Sequence, residues 1–199
     1  AKYHCDELRS TNNFTTGLSG TLQKIMAQNG VFRLAIKASQ EKDGKLYDDL
    51  VQKGFISEKN GEILVNLEPK DMRKPLLEYL MGLAEDGDKK MEEVFIEIGR
   101  AAGITCCETE HILSPACKDR VMYGRLVKMP HCFELMQKGA AEIDRSMRLT
   151  AANEQSAFSP LMKQLKDDPK YTVAQFAQSI GALYFSNYQA KEASKWQMS

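Results

Sequence analysis

Met91, Val94, Phe95, Ile98 and Ala102 recur at intervals of three and four residues directly after the triplet Asp86-Gly87-Asp88. An apolar stripe of that period predicts a helix that must bury one face against another element. The triplet opens that helix. A chain of 199 residues, 43% hydrophobic and 27% charged, can provide such a partner. It suits one domain, or one with a small appendage, and an ordinary globular core.

Other segments arrange themselves around that helix. Leu18, Leu22, Ile25 and Met26 lie at helical spacing before Asn29-Gly30, which reads as a helix stop. Leu46, Tyr47, Leu50 and Val51 form a second stripe, halted by Gly54. Asn60-Gly61 sits between Phe55-Ile56 and Ile63-Leu64-Val65, and both turn residues tolerate positive φ, so a hairpin is predicted there. Pro69 and Pro75 bracket a shift in composition. After the central helix come a segment from Ile104 to Leu113 closed by Ser114-Pro115, and a strand over Val121–Val127 interrupted by Gly124 and Arg125. Pro130 then opens a helix bearing Phe133, Met136, Ala140 and Ile143, and Met147 to Thr150 reads as a further strand. Tyr171-Thr172 precedes a last helix whose Phe176, Ile180 and Tyr184 are expected in the core, with Gly181 and Ala182 allowing close approach. The stretch from Gln189 reads as a loose tail.

Charge and cysteine usage narrow the function classes. Lys+Arg and Asp+Glu both number 27, which gives no electrostatic reason to expect nucleic acid or an anionic membrane as partner. No apolar run approaches the ~20 residues of a membrane span, and Ala1 to Ser10 carry no signal-peptide pattern. The five cysteines, Cys5, Cys106, Cys107, Cys117 and Cys132, are odd in number and include an adjacent pair. That is not the pattern of a disulfide framework, so a reducing cytoplasm is expected. Cys106, Cys107, His111, Cys117, His131 and Cys132 lack the short chelating spacing of structural zinc sites, and no metal is expected. Glu108, Glu110, Asp167 and Asp168 read as solvent-facing charges.

From Asp86 onward the order of short motifs resembles a known family. Asp86-Gly87-Asp88, Val94-Phe95-Ile96-Glu97-Ile98-Gly99-Arg100, Ile112-Leu113-Ser114-Pro115, the glycine-bearing strand, a helix, a strand and Ile180-Gly181-Ala182-Leu183-Tyr184 recur in one arrangement. It resembles the C-terminal half of ROK-type sugar kinases, of the actin-like, hexokinase-like ATPase superfamily. The resemblance runs from about Leu83 to Phe185. It implies an α/β lobe, helix-rich, with a small sheet flanked by helices, carrying the nucleotide side of the site. The family's strand ends in two adjacent glycines, where this chain has Tyr123-Gly124-Arg125. The phosphate loop, the catalytic-base segment and the zinc motif of that family are missing from this chain. The resemblance therefore implies no catalytic residue here, ATP bound weakly or not at all by the chain alone, and the remainder of a longer chain or a partner subunit. A homodimer is left open.

On that reading Gly124 admits the nucleotide to the backbone and Arg125 lies beside the adenine ring or a phosphate. The plain alternatives are a bulge or packing glycine and a solvated arginine. A rival class is a non-enzymatic interaction or DNA-binding module. Its basis is the helix-and-hairpin outline of the N-terminal third, winged-helix-like, in which Lys37, Lys42, Lys45 and Lys53 are offset by Glu41, Asp43, Asp48 and Asp49. The expected organisation is a helical unit with hairpin over 1–70, an α/β lobe over 71–188 and a tail over 189–199.

Overall fold

The computed structural model describes residues 22–40, 44–113, 119–151 and 173–196. Short α1 (Leu22–Ile25), α2 (Gln28–Gln40) and α3 (Lys45–Gln52) lead into a hairpin of β1 (Ile56–Lys59) and β2 (Glu62–Val65). Next come α4 (Arg73–Glu85), α5 (Lys89–Leu113), β3 (Asp119–Met122), a 3-10 turn (Arg125–Val127), α6 (Pro130–Ile143), β4 (Arg148–Ala151) and α7 (Val173–Trp196). The chain is helix-rich with a small sheet in two parts, β1 with β2 and β3 with β4, flanked by helices. It packs as two compact units, 1–120 with 129–149, and 121–128 with 150–199.

The core of the first unit is built on α5. Met91, Val94, Phe95, Ile98 and Ala102 are all buried, and so are Ile96, Gly99, Ala101 and Gly103. Helices α2, α4 and α6 pack against α5, and α6 makes the most extensive contact. Glycines bring these two backbones together. A Cβ on Gly99 would stand 2.0 Å from the Met136 carbonyl oxygen, and one on Gly139 would stand 1.9 Å from that of Ile96. One turn further, a Cβ on Gly103 would lie 3.1 Å from Ala140. Gly99 meets Met136 and Gly103 meets Ala140, so α5 and α6 run in the same sense. The chain must therefore return between Leu113 and Pro130, and β3 lies in that return.

Two helix ends follow one recipe. At the end of α3 the Gly54 amide donates to the Val51 carbonyl and the Phe55 amide to that of Leu50. At the end of α4 the Gly87 amide donates to the Ala84 carbonyl and the Asp88 amide to that of Leu83. Both are Schellman closures, which need a left-handed residue at the glycine; φ is 69° at Gly54 and 87° at Gly87. Asp88 then accepts the Met91 amide at 3.0 Å, capping α5. The triplet thus ends one helix and starts the next. In the hairpin, Ile56 faces Val65 and Lys59 faces Glu62 across the Asn60-Gly61 turn, as expected.

Four expectations are corrected. Asn29-Gly30 stops no helix: α2 starts at Gln28, and Gly30 is there because the Ile25 carbonyl oxygen lies 1.9 Å from where its Cβ would stand. Ile104 to Leu113 is no separate segment but the last part of α5, half-buried at first and exposed from His111 to Leu113, with Ile112 at 80% exposure. The strand predicted over Val121–Val127 is β3, Asp119–Met122; Gly124 leaves the extended path and Arg125–Val127 coils. In α7, Ile180 is buried, but Phe176 and Tyr184 are exposed and Gly181 has no atom within 4 Å of its missing Cβ. Every residue from Gly181 to Gln189 is exposed, and the helix runs to Trp196, through what was read as tail. Ser114-Pro115 and Tyr171-Thr172 lie outside the described residues.

Two predictions follow from these contacts. Gly139→Ala forces the α5 and α6 backbones apart and should destabilise by about 1–3 kcal/mol or more. Gly82→Ala and Gly181→Ala, in helices with open space, should gain up to ~1 kcal/mol. Urea or thermal melts read both. Arg100 joins the same two helices, bonding Glu142 at 2.6 Å, Glu93 at 2.6 Å and Glu97 at 2.8 Å. Its guanidinium holds Glu142 below the ordinary value of 4.5. A carboxylate lowered by folding stabilises above the pH where the unfolded residue titrates, and this is lost as pH falls through the lowered value. Glu142→Gln should therefore lower the melting temperature at pH 7, and the difference from wild type should shrink progressively as the pH falls below about 4.

Candidate functional site

The turn after β3 is where the sequence placed its candidate residues. Gly124 has φ 108° and ψ −166°, a backbone conformation that side chains other than hydrogen disfavour. Gly124 is half-buried, and no atom outside its chain neighbours lies within 4 Å of where its Cβ would be. Arg125 begins the 3-10 turn and is exposed; the Lys128 amide closes that turn on the Arg125 carbonyl at 3.2 Å. Val127, 5% exposed, anchors it. Tyr123 and Val121, at alternate positions before the glycine, are 48% and 41% exposed. The glycine is here a conformational need and an open surface together. Gly124 and Arg125, the residues expected at a site from the sequence, stand side by side at this turn.

Among the described cysteines, Cys132 is a packing group. Cys132 is fully buried on α6, with its thiol 3.6 Å from the Met81 carbonyl and its amide donating to Glu85 at 3.1 Å. Burial first, then the Glu85 charge, pushes that thiol up to about 12. Cys106 is raised too, because burial outweighs the Arg120 guanidinium beside it, and Arg120 itself pairs with Glu110. Neither thiol is a thiolate near neutral pH, which is what nucleophilic or ligand chemistry requires. Cys5, Cys117, Asp167 and Asp168 lie outside the described residues. Among the described residues no three His, Cys, Asp or Glu side chains come together as a metal would require. His111 is exposed at the end of α5, and His131 stands 3.7 Å from both Glu92 and Glu134.

A cleft of about 430 Å³ opens between α3, α4 and the start of α5, lined by Lys45, Asp49, Tyr79, Asp88 and Lys89 among others. The Tyr79 hydroxyl donates to the Asp49 carboxylate, and burial followed by that carboxylate pushes Tyr79 up to about 12. Lys53 reaches Asp49 at 3.3 Å and lies 5.4 Å from the Tyr79 ring centre, while Phe55 packs on the same ring at 5.3 Å. Lys89 is held by Glu92 at 2.8 Å. The cleft's charges answer one another, which is the mark of a structural seam.

No helix among the described residues is long and apolar enough to cross a membrane. No protein-family model matches the chain, and no curated protein matches it. The thiol chemistry gives a direct check. In peptide-mapped alkylation of the native chain at pH 8, Cys132 should stay unlabelled until the protein unfolds, whereas Cys106 and Cys107, both partly exposed, label first. Early labelling of Cys132 would contradict its placement.

Proposed function

We propose that this chain is the nucleotide-side lobe of a sugar-kinase-like protein of the actin and hexokinase ATPase class, not catalytically complete by itself. One observation carries the reading. Helix α5, strand β3 ending at a glycine-only turn, helix α6 and strand β4 follow in the order the resemblance implies, and β3 pairs with β4. The two helices run in the same sense with the strand in the return between them, which is the connectivity of α/β layers.

Gly124 is then the point where the ribose and base approach bare backbone, and Arg125 is the cation beside them. Phosphoryl transfer needs a cradle for the terminal phosphates, a metal to bridge them and a base to orient the sugar hydroxyl. The rest of the protein, or a partner subunit, supplies those parts. ATP held by the adenosine side alone binds in the millimolar range, on the order of 4 kcal/mol. Calorimetry of this chain with ATP should therefore give no micromolar binding. At millimolar ATP, saturation-transfer NMR should reach adenosine protons, and Gly124→Val should abolish the transfer by filling and straining the turn. Micromolar affinity for the chain alone would contradict the reading.

A second reading rests on α2, α3 and the β1–β2 hairpin, which follow one another in the outline of a winged helix. It would make the N-terminal part a protein-interaction or DNA-binding module. Asp48 and Asp49 on α3 work against the DNA version, since a helix entering a groove needs net positive charge.

A further inference from the structure

From residue 173 to residue 190 the α7 sequence contains no charged residue, in a chain of which 27% is charged. The middle of that helix is also bare, since every residue from Gly181 to Gln189 is exposed. Tyr184, Phe185 and Tyr188 are 53%, 63% and 60% exposed. At 3.6 residues per turn these three rings fall within a sector about 100° wide, with Ser186 on another side. A single exposed ring is ordinary. Three adjacent rings on an uncharged helix make a continuous apolar surface, which marks a place of contact. Rings enriched and charges depleted is moreover the composition found at the centre of protein interfaces.

We propose that the aromatic face of α7 pairs with the same face of a second copy of this chain. Charge selects the occupant. Nucleic acid or an anionic membrane surface needs cations on the helix it meets, and residues 173–190 include none. Nor is α7 long and apolar enough to cross a bilayer. A charged protein surface would lose its hydration there and gain no counter-charge. A second copy is neutral and aromatic in the same way, and a two-fold pairing opposes no like charges. Ring against ring, the two faces can stack offset or edge to face. Area sets the strength. Each ring leaves roughly 100 Å² uncovered, so two copies, with the exposed residues around the rings, bury on the order of 1,000 Å². That is the low end for a specific interface, and it fits a dimer that forms and dissociates with concentration.

Sedimentation equilibrium of the full chain from about 1 µM to about 500 µM tests the pairing. The wild-type chain should pass from monomer to dimer across that range. Tyr188→Glu and Phe185→Glu should each raise the dissociation constant at least about tenfold, because each buries an unpaired carboxylate at the contact. Ser186→Glu adds the same charge to the same helix away from the rings, and should dimerise as wild type does. Circular dichroism on dilute samples checks that all three variants keep their helix content. A wild-type chain that stays monomeric throughout overturns the proposal, whatever the variants do. Dimers that persist unchanged in Tyr188→Glu and Phe185→Glu place the contact elsewhere and overturn it too. Equal loss in Ser186→Glu shows that charge anywhere on α7 acts, and removes the aromatic face as the cause. Flotation with phosphatidylcholine vesicles is the last arm. Wild-type binding that Tyr188→Glu abolishes, in a chain that forms no dimer, assigns the face to lipid and overturns the pairing.

Discussion

Where residue 99 would carry a Cβ there is a carbonyl oxygen of Met136, and where residue 139 would carry one there is a carbonyl oxygen of Ile96. The α5 and α6 backbones touch because neither helix has a side chain at the crossing. Much else depends on this contact. It fixes the register of Gly99 with Met136 and Gly103 with Ala140, hence the common direction of the helices, hence the return path that contains β3. Arg100 reinforces it at the solvent edge by bonding Glu142 across the crossing. Gln137, next to the crossing on α6, accepts the Leu149 amide and donates to the Met147 carbonyl, which ties β4 to the same helix.

The N-terminal elements are layered onto α5 through its other sides. A helix buried on several sides needs partners at each, and α2 and α4 supply them with Val31, Phe32, Ala35, Leu76, Leu77, Leu80 and Met81. Short connections with glycine closures set the directions of these partners. The Asp49–Tyr79–Lys53 cluster then joins the end of α3 to α4 with polar and aromatic contacts. An open cleft remains beside it, yet its charges are already matched, so it lacks the unmet demand that would draw a ligand.

The turn at Gly124 differs in kind. Its glycine is required by φ and is not covered by anything within van der Waals reach. Packing glycines such as Gly99 are hidden; this one is open, beside an exposed ring and an exposed arginine. The Cys132 thiol, by contrast, is held protonated by the packing that hides it.

The sequence by itself determined the local structure that rests on chemistry within a few residues. The Asn60-Gly61 hairpin, the Asp86-Gly87-Asp88 junction, the α5 stripe and the start of α6 at Pro130 follow from turn preference, capping and a 3.6-residue period. What it could not decide is which partner a pattern meets. Gly30 and Gly99 look alike in sequence to a stop or a weak point, and only the neighbouring carbonyl makes them packing positions. The α7 stripe has the period of a buried helix, but every residue from Gly181 to Gln189 is exposed, because period marks a face without supplying a surface for it.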